Sequence, residues 1–567
     1  MSENAVIEKE NIINKSAIKD FAVSARKKLN DRVQMQANRM GFYADNRALN
    51  FEFEDDKQVK INGEIFDKKQ INILKNQIQH KGFDAVIDEV AYTWFNRFIA
   101  LYFMEVHNYI DNGLNIISSL DEINSIALKA PSYFKNINKE HLFTLVQDNK
   151  SEDVYKTLII AQCNDLSAKL PFLFEQISDY TELLFPQGML NNDSVIREML
   201  ALDKNSWNEV EIIGWLYQYY ISEKKDEVFA ELKKGKKISK ENVPAATQIF
   251  TPKWIVQYMV ENSVGKMWLE AHPNSELQST FKYYLESAEQ EEDVKNELEK
   301  TIDKTITPKK IKVLDPACGS GHILVTAFSV LYEIYKSAGY IEEEIAELIL
   351  TKNLYGLDIC NRAGQLAQLA LIMKAIEYDK NIFNKNIELN ITSIQDTNWI
   401  DNRVKEALMN DVSNQLLAQQ QIENLVNTFN DAKEYGSILD VNNFDFNFWE
   451  ERLNAIQTLN MGLLYTDVVA ELQQKLPQLI KQAKIMQQKY ECVISNPPYM
   501  GIGGMGAKLS EFVKKNYPNT KSDMSTVFME KTLKYTNPNG YMAMINIPVW
   551  MFLASYEKLR SNIISMH

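Results

Sequence analysis

The chain is short of the residues that build covalent and metal frameworks. Four cysteines occur in 567 residues, Cys163, Cys318, Cys360 and Cys492. They are scattered, and no two form a CxxC pair. That argues against a disulfide scaffold or a zinc site, and it fits a reducing cytoplasm. No metal is expected. Glycine (20) and proline (14) are scarce as well, so long flexible linkers are not expected. No apolar run approaches the roughly 18 residues that a membrane-spanning helix requires. The opening MSENAVIEKENIINKSAIKD is charged throughout and has no apolar stretch of the kind a secretion signal needs. These absences predict a cytoplasmic protein with no membrane partner.

What is present suits a multi-domain globular chain. Apolar residues make up 45% and charged residues 24%, enough to bury a sizeable core. The net charge of -14 has the wrong sign for a phosphate-rich partner, because Lys and Arg supply much of nucleic-acid affinity. The local field along a cleft matters more than the total, however. Two lysine clusters could supply one: Lys233, Lys234, Lys236, Lys237 and Lys240, and then Lys508, Lys514, Lys515 and Lys521. Each also reads as a solvated loop, so charge alone neither establishes nor excludes DNA.

Periodicity changes character near residue 240. Residues 1–240 read as an α-helical domain. Phe83 to Val106 is apolar on nearly every side, as in a helix buried inside a bundle. Glu209 to Phe229 places Ile212, Trp215, Leu216 and Tyr219 at helical spacing, which predicts core aromatics. The lysine-rich segment at 233–240 reads as a surface connection. From 241 to 567 short apolar runs alternate with amphipathic helices: IKVL (311–314), NLYGL (353–357), a third strand near 387–393, YECVIS (490–495) and GYMAMINI (540–547). This βα repeat predicts an α/β fold, a doubly wound Rossmann-like domain with a parallel sheet. The glutamine-rich region at about 397–489 reads as a helical insertion in that domain.

Ligands of such sheets bind beyond the carboxyl ends of the strands. The motifs fall there. Asp315-Pro316-Ala317-Cys318-Gly319-Ser320-Gly321 follows IKVL, and its glycines let the backbone turn sharply and approach a ligand. Its acidic first residue suits the ammonium and sulfonium end of S-adenosylmethionine. A phosphate would prefer Lys, and no GKS or GKT follows. Asp358, followed by Ile359 at the next strand end, could accept hydrogen bonds from both ribose hydroxyls, or could simply cap the next helix. Asp396, after the third strand, could accept from the cofactor's adenine amino group, or could form a turn.

Asn496-Pro497-Pro498-Tyr499 follows YECVIS. Adenine N6 is a poor nucleophile because its lone pair is delocalised into the ring. The Asn496 side-chain oxygen and the Pro497 carbonyl could bind its two hydrogens, concentrate density on nitrogen and aim it at a methyl donor. Tyr499 offers a face on which an extruded base can stack. The alternative is a rigid proline turn with a buried tyrosine.

Together these residues resemble the amino-methyltransferase family of DNA modification enzymes, in its gamma arrangement, with the cofactor motif ahead of NPPY. Gln248-Ile249-Phe250-Thr251-Pro252 resembles the family's element that closes over the methionine end of the cofactor. The helical front half, with VAYTWFNRFIALYFMEV and EIIGWLYQYY, is similar to the PglX family of BREX phage-defence methyltransferases. The resemblance implies N6-adenine methylation of double-stranded DNA alongside other defence proteins. It also implies two further strands and a target recognition domain beyond His567. Three rivals differ in kind. One is a restriction-modification enzyme whose nuclease would use the acidic stretch at 51–69. Another is a type I modification subunit. The third is a catalytically silent cofactor-binding scaffold.

Overall fold

The computed structural model describes residues 14–45, 52–53, 57–61, 63–110, 112–174, 180–249, 251–385, 387–459 and 461–565. The chain divides into two compact units, Met1–Glu223 and Lys224–His567.

The first unit is helical apart from a small antiparallel sheet of β1 (Glu52–Phe53), β2 (Gln58–Ile61) and β3 (Glu64–Asp67). The carboxylates Glu54, Asp55 and Asp56 of the nuclease candidate lie outside the described residues. Helix α1 (Lys15–Arg39) and helix α3 (Glu211–Tyr220) both pack on α2 (Phe83–Val106). The all-round apolar character of α2 follows from that double coverage, and Trp94, Phe95 and Phe103 are buried. Tyr220 of α3 sets its ring 4.3 Å from Phe95 and 5.2 Å from Tyr92. Two charges in α2 are buried with partners. Arg97 donates to the Leu173 carbonyl, and Glu105 accepts from the Ile117 and Ser118 amides and the Ser118 hydroxyl. Ile212, Trp215 and Leu216 are buried, as their spacing predicts, whereas Tyr219 is only half-buried.

The second unit is built on a five-stranded sheet in the order β6-β5-β4-β7-β8, every pair parallel. In chain order its main elements are α4 (Ser222–Lys233), α5 (Lys253–Val260), β4 (Val313–Asp315), α6 (His322–Ser337), β5 (Leu354–Asp358), α7 (Asn361–Ile376) and β6 (Asn390–Ser393). Then come α8 (Gln415–Phe429), α9 (Thr466–Gln487), β7 (Tyr490–Ser495), α10 (Ala507–Asn516), α11 (Met524–Tyr535) and β8 (Thr536–Met544). From β4 the chain winds outward through β5 to β6, then returns to β4's other edge with β7. The switch in strand order therefore lies between β4 and β7, where a doubly wound sheet opens a crevice. The strands carry VLD, LYGLD and YECVIS, buried on both faces, as parallel strands covered by helices must be.

Residues 397–489 supply much of one helical layer. Leu425 and Phe429 of α8, Trp449, and Leu476 and Leu479 of α9 share one apolar cluster with Leu314, Leu357 and Val493 of the sheet. On α6, Gly321 starts the helix at φ +85°. A Cβ there would sit 2.9 Å from the Cα of Ala367 on α7, so glycine permits both the turn and the close helix approach.

One expectation shifts. The segment 233–240 is not a bare connection, because α4 and Ile238 pack into the second unit through Val228 and Leu232, against Met500, Met505 and Leu509. Helix α5 is α-helical to Val260 and continues as a π turn over Glu261–Gly265. There the Glu261 carboxylate turns away to accept the Tyr283 amide.

Candidate cofactor and catalytic site

Strand β4 ends in Asp315, and everything after it is held by hydrogen bonds to neighbouring strand ends. Asp315 Oδ1 accepts the Ala317 amide at 3.1 Å, which closes the turn. The Cys318 amide donates to the Leu357 carbonyl at 2.9 Å, and the Gly319 amide to Asp358 Oδ2 at 2.9 Å. Gly319 takes φ +53°, with open space where a Cβ would stand. The glycine loop is therefore shaped by β5 as much as by its own sequence.

Asp358 answers the question left by the sequence about capping. The residue that caps α7 is Cys360, with no side-chain cap. Asp358 instead spends its second oxygen on the Cys360 amide at 2.7 Å and ties the two strand-end loops together. The Ile359 amide is a further backbone donor to this carboxylate. Ile359 lies beside Gly436 of the insertion. Asp396 is half-buried after β6. Its carbonyl accepts the Trp399 indole N–H, and its carboxylate meets no donor among the described residues.

Strand β7 ends beside β4, and one bond joins the two motifs. The Ser495 hydroxyl donates to Asp315 Oδ1 at 2.8 Å. Asp315 is 1% exposed, and its Oδ2 accepts no hydrogen bond among the described residues. Burial, with the nearby Asp358 charge, pushes its carboxyl up to about 7. Burial likewise pushes Asp358 up to about 6.

Immediately after Ser495, the Asn496 amide nitrogen donates to Thr251 Oγ1 at 2.8 Å. The Tyr499 hydroxyl lies 2.6 Å from Asn496 Oδ1 and 3.0 Å from the Ile545 carbonyl, two acceptors for one phenol proton. Burial and the charge of Asp523 push Tyr499 up to about 12, so it stays a neutral donor. Pro497 is buried and Pro498 half-buried, and no donor among the described residues reaches the Pro497 carbonyl. Thr251 is buried and Pro252 is the residue that starts α5. Phe250 lies outside the described residues.

Sequence reasoning missed three members of this neighbourhood. Ser495 was signalled only by its place before NPPY. Ser437, in the insertion, donates to the Pro316 carbonyl at 2.6 Å, and its own carbonyl accepts from Tyr535 at 2.8 Å. Lys531, buried on α11, holds the next turn of that strap through the Leu439 carbonyl (2.7 Å) and Asp440 (2.8 Å). No local motif marks these two, because their partners lie 121 and 92 residues away. Among the described residues no group of His, Cys, Asp or Glu could hold a metal ion, and no helix is long and apolar enough to cross a membrane.

Residues 294–401 match the N-6 DNA Methylase family, and residues 352–567 match the Eco57I restriction-modification methylase family. The chain is 36% identical to the adenine-specific methyltransferase BrxX of Escherichia coli O9:H4 (strain HS), over 97% of this chain and 48% of that protein. It is 32% identical to the adenine-specific methyltransferase PglX of Lacticaseibacillus casei (strain Zhang), over 98% of this chain and 48% of that protein. The chain thus spans about half the length of the curated relatives it matches. Among solved structures, a cryo-EM DrdV–DNA complex aligns at 13% identity and a TM-score of 0.36, over 95% of this chain and 44% of that one. With both motifs at adjacent strand ends, the chain is similar along almost its whole length to the adenine-specific methyltransferases BrxX and PglX.

Proposed function

We propose that the second unit binds S-adenosylmethionine and presents N6 of an adenine extruded from double-stranded DNA for methylation, in a BREX-like phage-defence setting in the cytoplasm. The supporting observation is the 2.8 Å bond from Ser495 to Asp315, which holds the DPACGSG loop and the NPPY turn at neighbouring strand ends. When bound, the cofactor supplies an electrophilic methyl group on a positively charged sulfur.

The residues fit that group. Asp315 offers a carboxylate in a buried residue, its Oδ1 held by the Ala317 amide and the Ser495 hydroxyl, and an acid there suits a cation. Asp358 presents its carboxylate to a diol at the next strand end, oriented by the Gly319 and Cys360 amides. Gly319 leaves room for close approach, and Thr251, just before Pro252, accepts the Asn496 amide.

Asn496 and Pro497 then act by orientation. The side-chain oxygen of Asn496 and the carbonyl of Pro497 accept the two amino hydrogens, which turns the nitrogen lone pair toward the donor. Thr251 fixes which way the Asn496 amide faces. The ring of Tyr499 stacks the base, and its hydroxyl yields Asn496 Oδ1 to the incoming amine while keeping the Ile545 carbonyl. A calorimetric titration with S-adenosylmethionine, run beside Asp358→Ala, tests the cofactor half. Saturable binding lost in the variant supports it, and no binding by the folded chain overturns it. Other defence proteins are expected partners through the resemblance alone.

A further inference from the structure

The two lysine clusters, far apart in sequence, meet across the loop that follows NPPY. The Ile238 amide donates to the Gly504 carbonyl at 3.0 Å, and the Lys237 ammonium donates to the Gly503 carbonyl. On the loop's other side, the Ile502 amide donates to the Ser522 carbonyl at 2.9 Å and Gly501 bridges Asp523, which sets Lys521 alongside. The arrangement rests on a core, since Val228, Leu232 and Ile238 share an apolar cluster with Met500, Met505, Leu509 and Val513. Lys508 pairs with Asp431 at 2.6 Å, and Lys240 faces the same carboxylate.

Few of these lysines have an ion-pair partner among the described residues. Lys236 is matched by Glu231 and Lys508 by Asp431. Lys233, Lys234, Lys240, Lys514, Lys515 and Lys521 are exposed and form no ion pair among the described residues. Lys514 and Lys515 line an open hollow of about 550 Å³ with Ala507, Ser510 and Glu511. Glu511 is the single acid there. The whole chain carries -14, so six exposed lysines without an ion pair in these two clusters depart from its average.

Distance links this surface to the catalytic turn. Gly501 follows Asn496 by five residues, so the two lie at most ~18 Å apart even along an extended chain. Phosphates of one strand recur every ~3.4 Å along the duplex axis, which makes that reach about five nucleotides. Flexible, strongly hydrated ammonium groups suit phosphates contacted without regard to sequence.

We propose that these six lysines form the surface that grips phosphates flanking the target base of duplex DNA. The placement of the base rests on the function proposed above. The experiment is fluorescence anisotropy of this chain with a short labelled DNA duplex across a salt series. The variant carries Lys233→Glu, Lys234→Glu, Lys514→Glu and Lys515→Glu, all exposed sites. The expected result is at least tenfold weaker binding at low salt and a log–log salt slope shallower by about 3–4, near 0.9 per lost contact. Lys295→Glu with Lys300→Glu, on the exposed helix Glu292–Thr301, should leave both unchanged. Wild-type binding matched by the quadruple variant overturns the proposal. So does failure of the wild-type chain to bind the duplex at low salt, or binding of an RNA duplex in its place. A parallel titration with S-adenosylmethionine separates the two readings: intact cofactor affinity shows a folded variant, and absent cofactor binding in the wild type overturns the catalytic reading alone.

Discussion

The amide nitrogen of Asn496 lies 2.8 Å from the hydroxyl of Thr251, a residue 245 positions earlier in the chain. The bond fixes one end of a rotatable side-chain amide. With nitrogen toward Thr251, oxygen faces Tyr499 and the crevice. Thr251→Val keeps the shape and removes the acceptor. Losing one hydrogen bond of ~1 kcal/mol lets the amide rotate, so methyl transfer to duplex DNA should fall about fivefold to tenfold. Cofactor affinity should stay close to wild type, and Thr251→Ser should restore the rate. An unchanged rate in the valine variant would remove Thr251 from this role.

Asn496→Ala takes away the acceptor itself. Methyl transfer should be abolished while S-adenosylmethionine still binds within a few-fold, because Asn496 bonds Thr251 and Tyr499 rather than Asp315 or Asp358. Measurable methylation by this variant would sink the assignment.

Asp358→Ala removes a carboxylate that also receives the Gly319 and Cys360 amides. Cofactor affinity should weaken by about 1.5–3 kcal/mol, the scale of hydrogen bonds to a charged group. Part of that loss is loop order, so Asp358→Asn, which keeps an acceptor for one amide, should lie between the two. Calorimetry on all three proteins decides it; equal affinities would reduce Asp358 to a structural tie.

The acids predict opposite pH trends for stability and for binding. Asp315 and Asp358 are raised from 3.8 to about 7 and about 6 in the fold. Between pH ~4 and ~7 the unfolded chain has released protons that the folded chain still holds, so this pair makes the unbound chain less stable as pH rises. A bound cation favours the ionised carboxylates, so cofactor affinity should climb across the same window, on the order of tenfold between about pH 5.5 and 8. Asp315→Asn should flatten that climb. Calorimetric Kd values at the two pH values test it, and a flat wild-type profile would count against a cation at Asp315.

Ring and hydroxyl of Tyr499 should separate cleanly. Tyr499→Phe keeps the stacking face and frees Asn496 Oδ1, so the rate should hold within about threefold. Tyr499→Ala loses a base stack of ~1–3 kcal/mol and should raise KM for DNA. Equal defects in both variants would place the hydroxyl, not the ring, at the centre of the residue's role.

Much of the site was legible because its chemistry is local. DPACGSG, Asp358 and NPPY each sit within a few residues of a strand end, and short apolar runs and a period of 3.6 residues mark the strands and helices around them. Strand ends moved by only a few residues between expectation and structure, as with IKVL at 311–314 against Val313–Asp315. The helical front half was equally plain, since an all-round apolar stretch such as Phe83–Val106 has no stable place except inside a bundle.

The sequence by itself determined which chemistry is available: a glycine-rich turn with an acid, a second acid one strand on, and an asparagine followed by two prolines. Residue types and short spacings decide that, and they are written along the chain. Only the tertiary structure decided which partners those groups hold. It joined Ser495 to Asp315, Thr251 to Asn496, Ser437 to Pro316, and the lysines near 237 to the loop at 501–506. Such bonds span from 121 to 266 residues. Strand order and core packing bring their ends together, and no local propensity encodes a hydrogen bond between residues so distant.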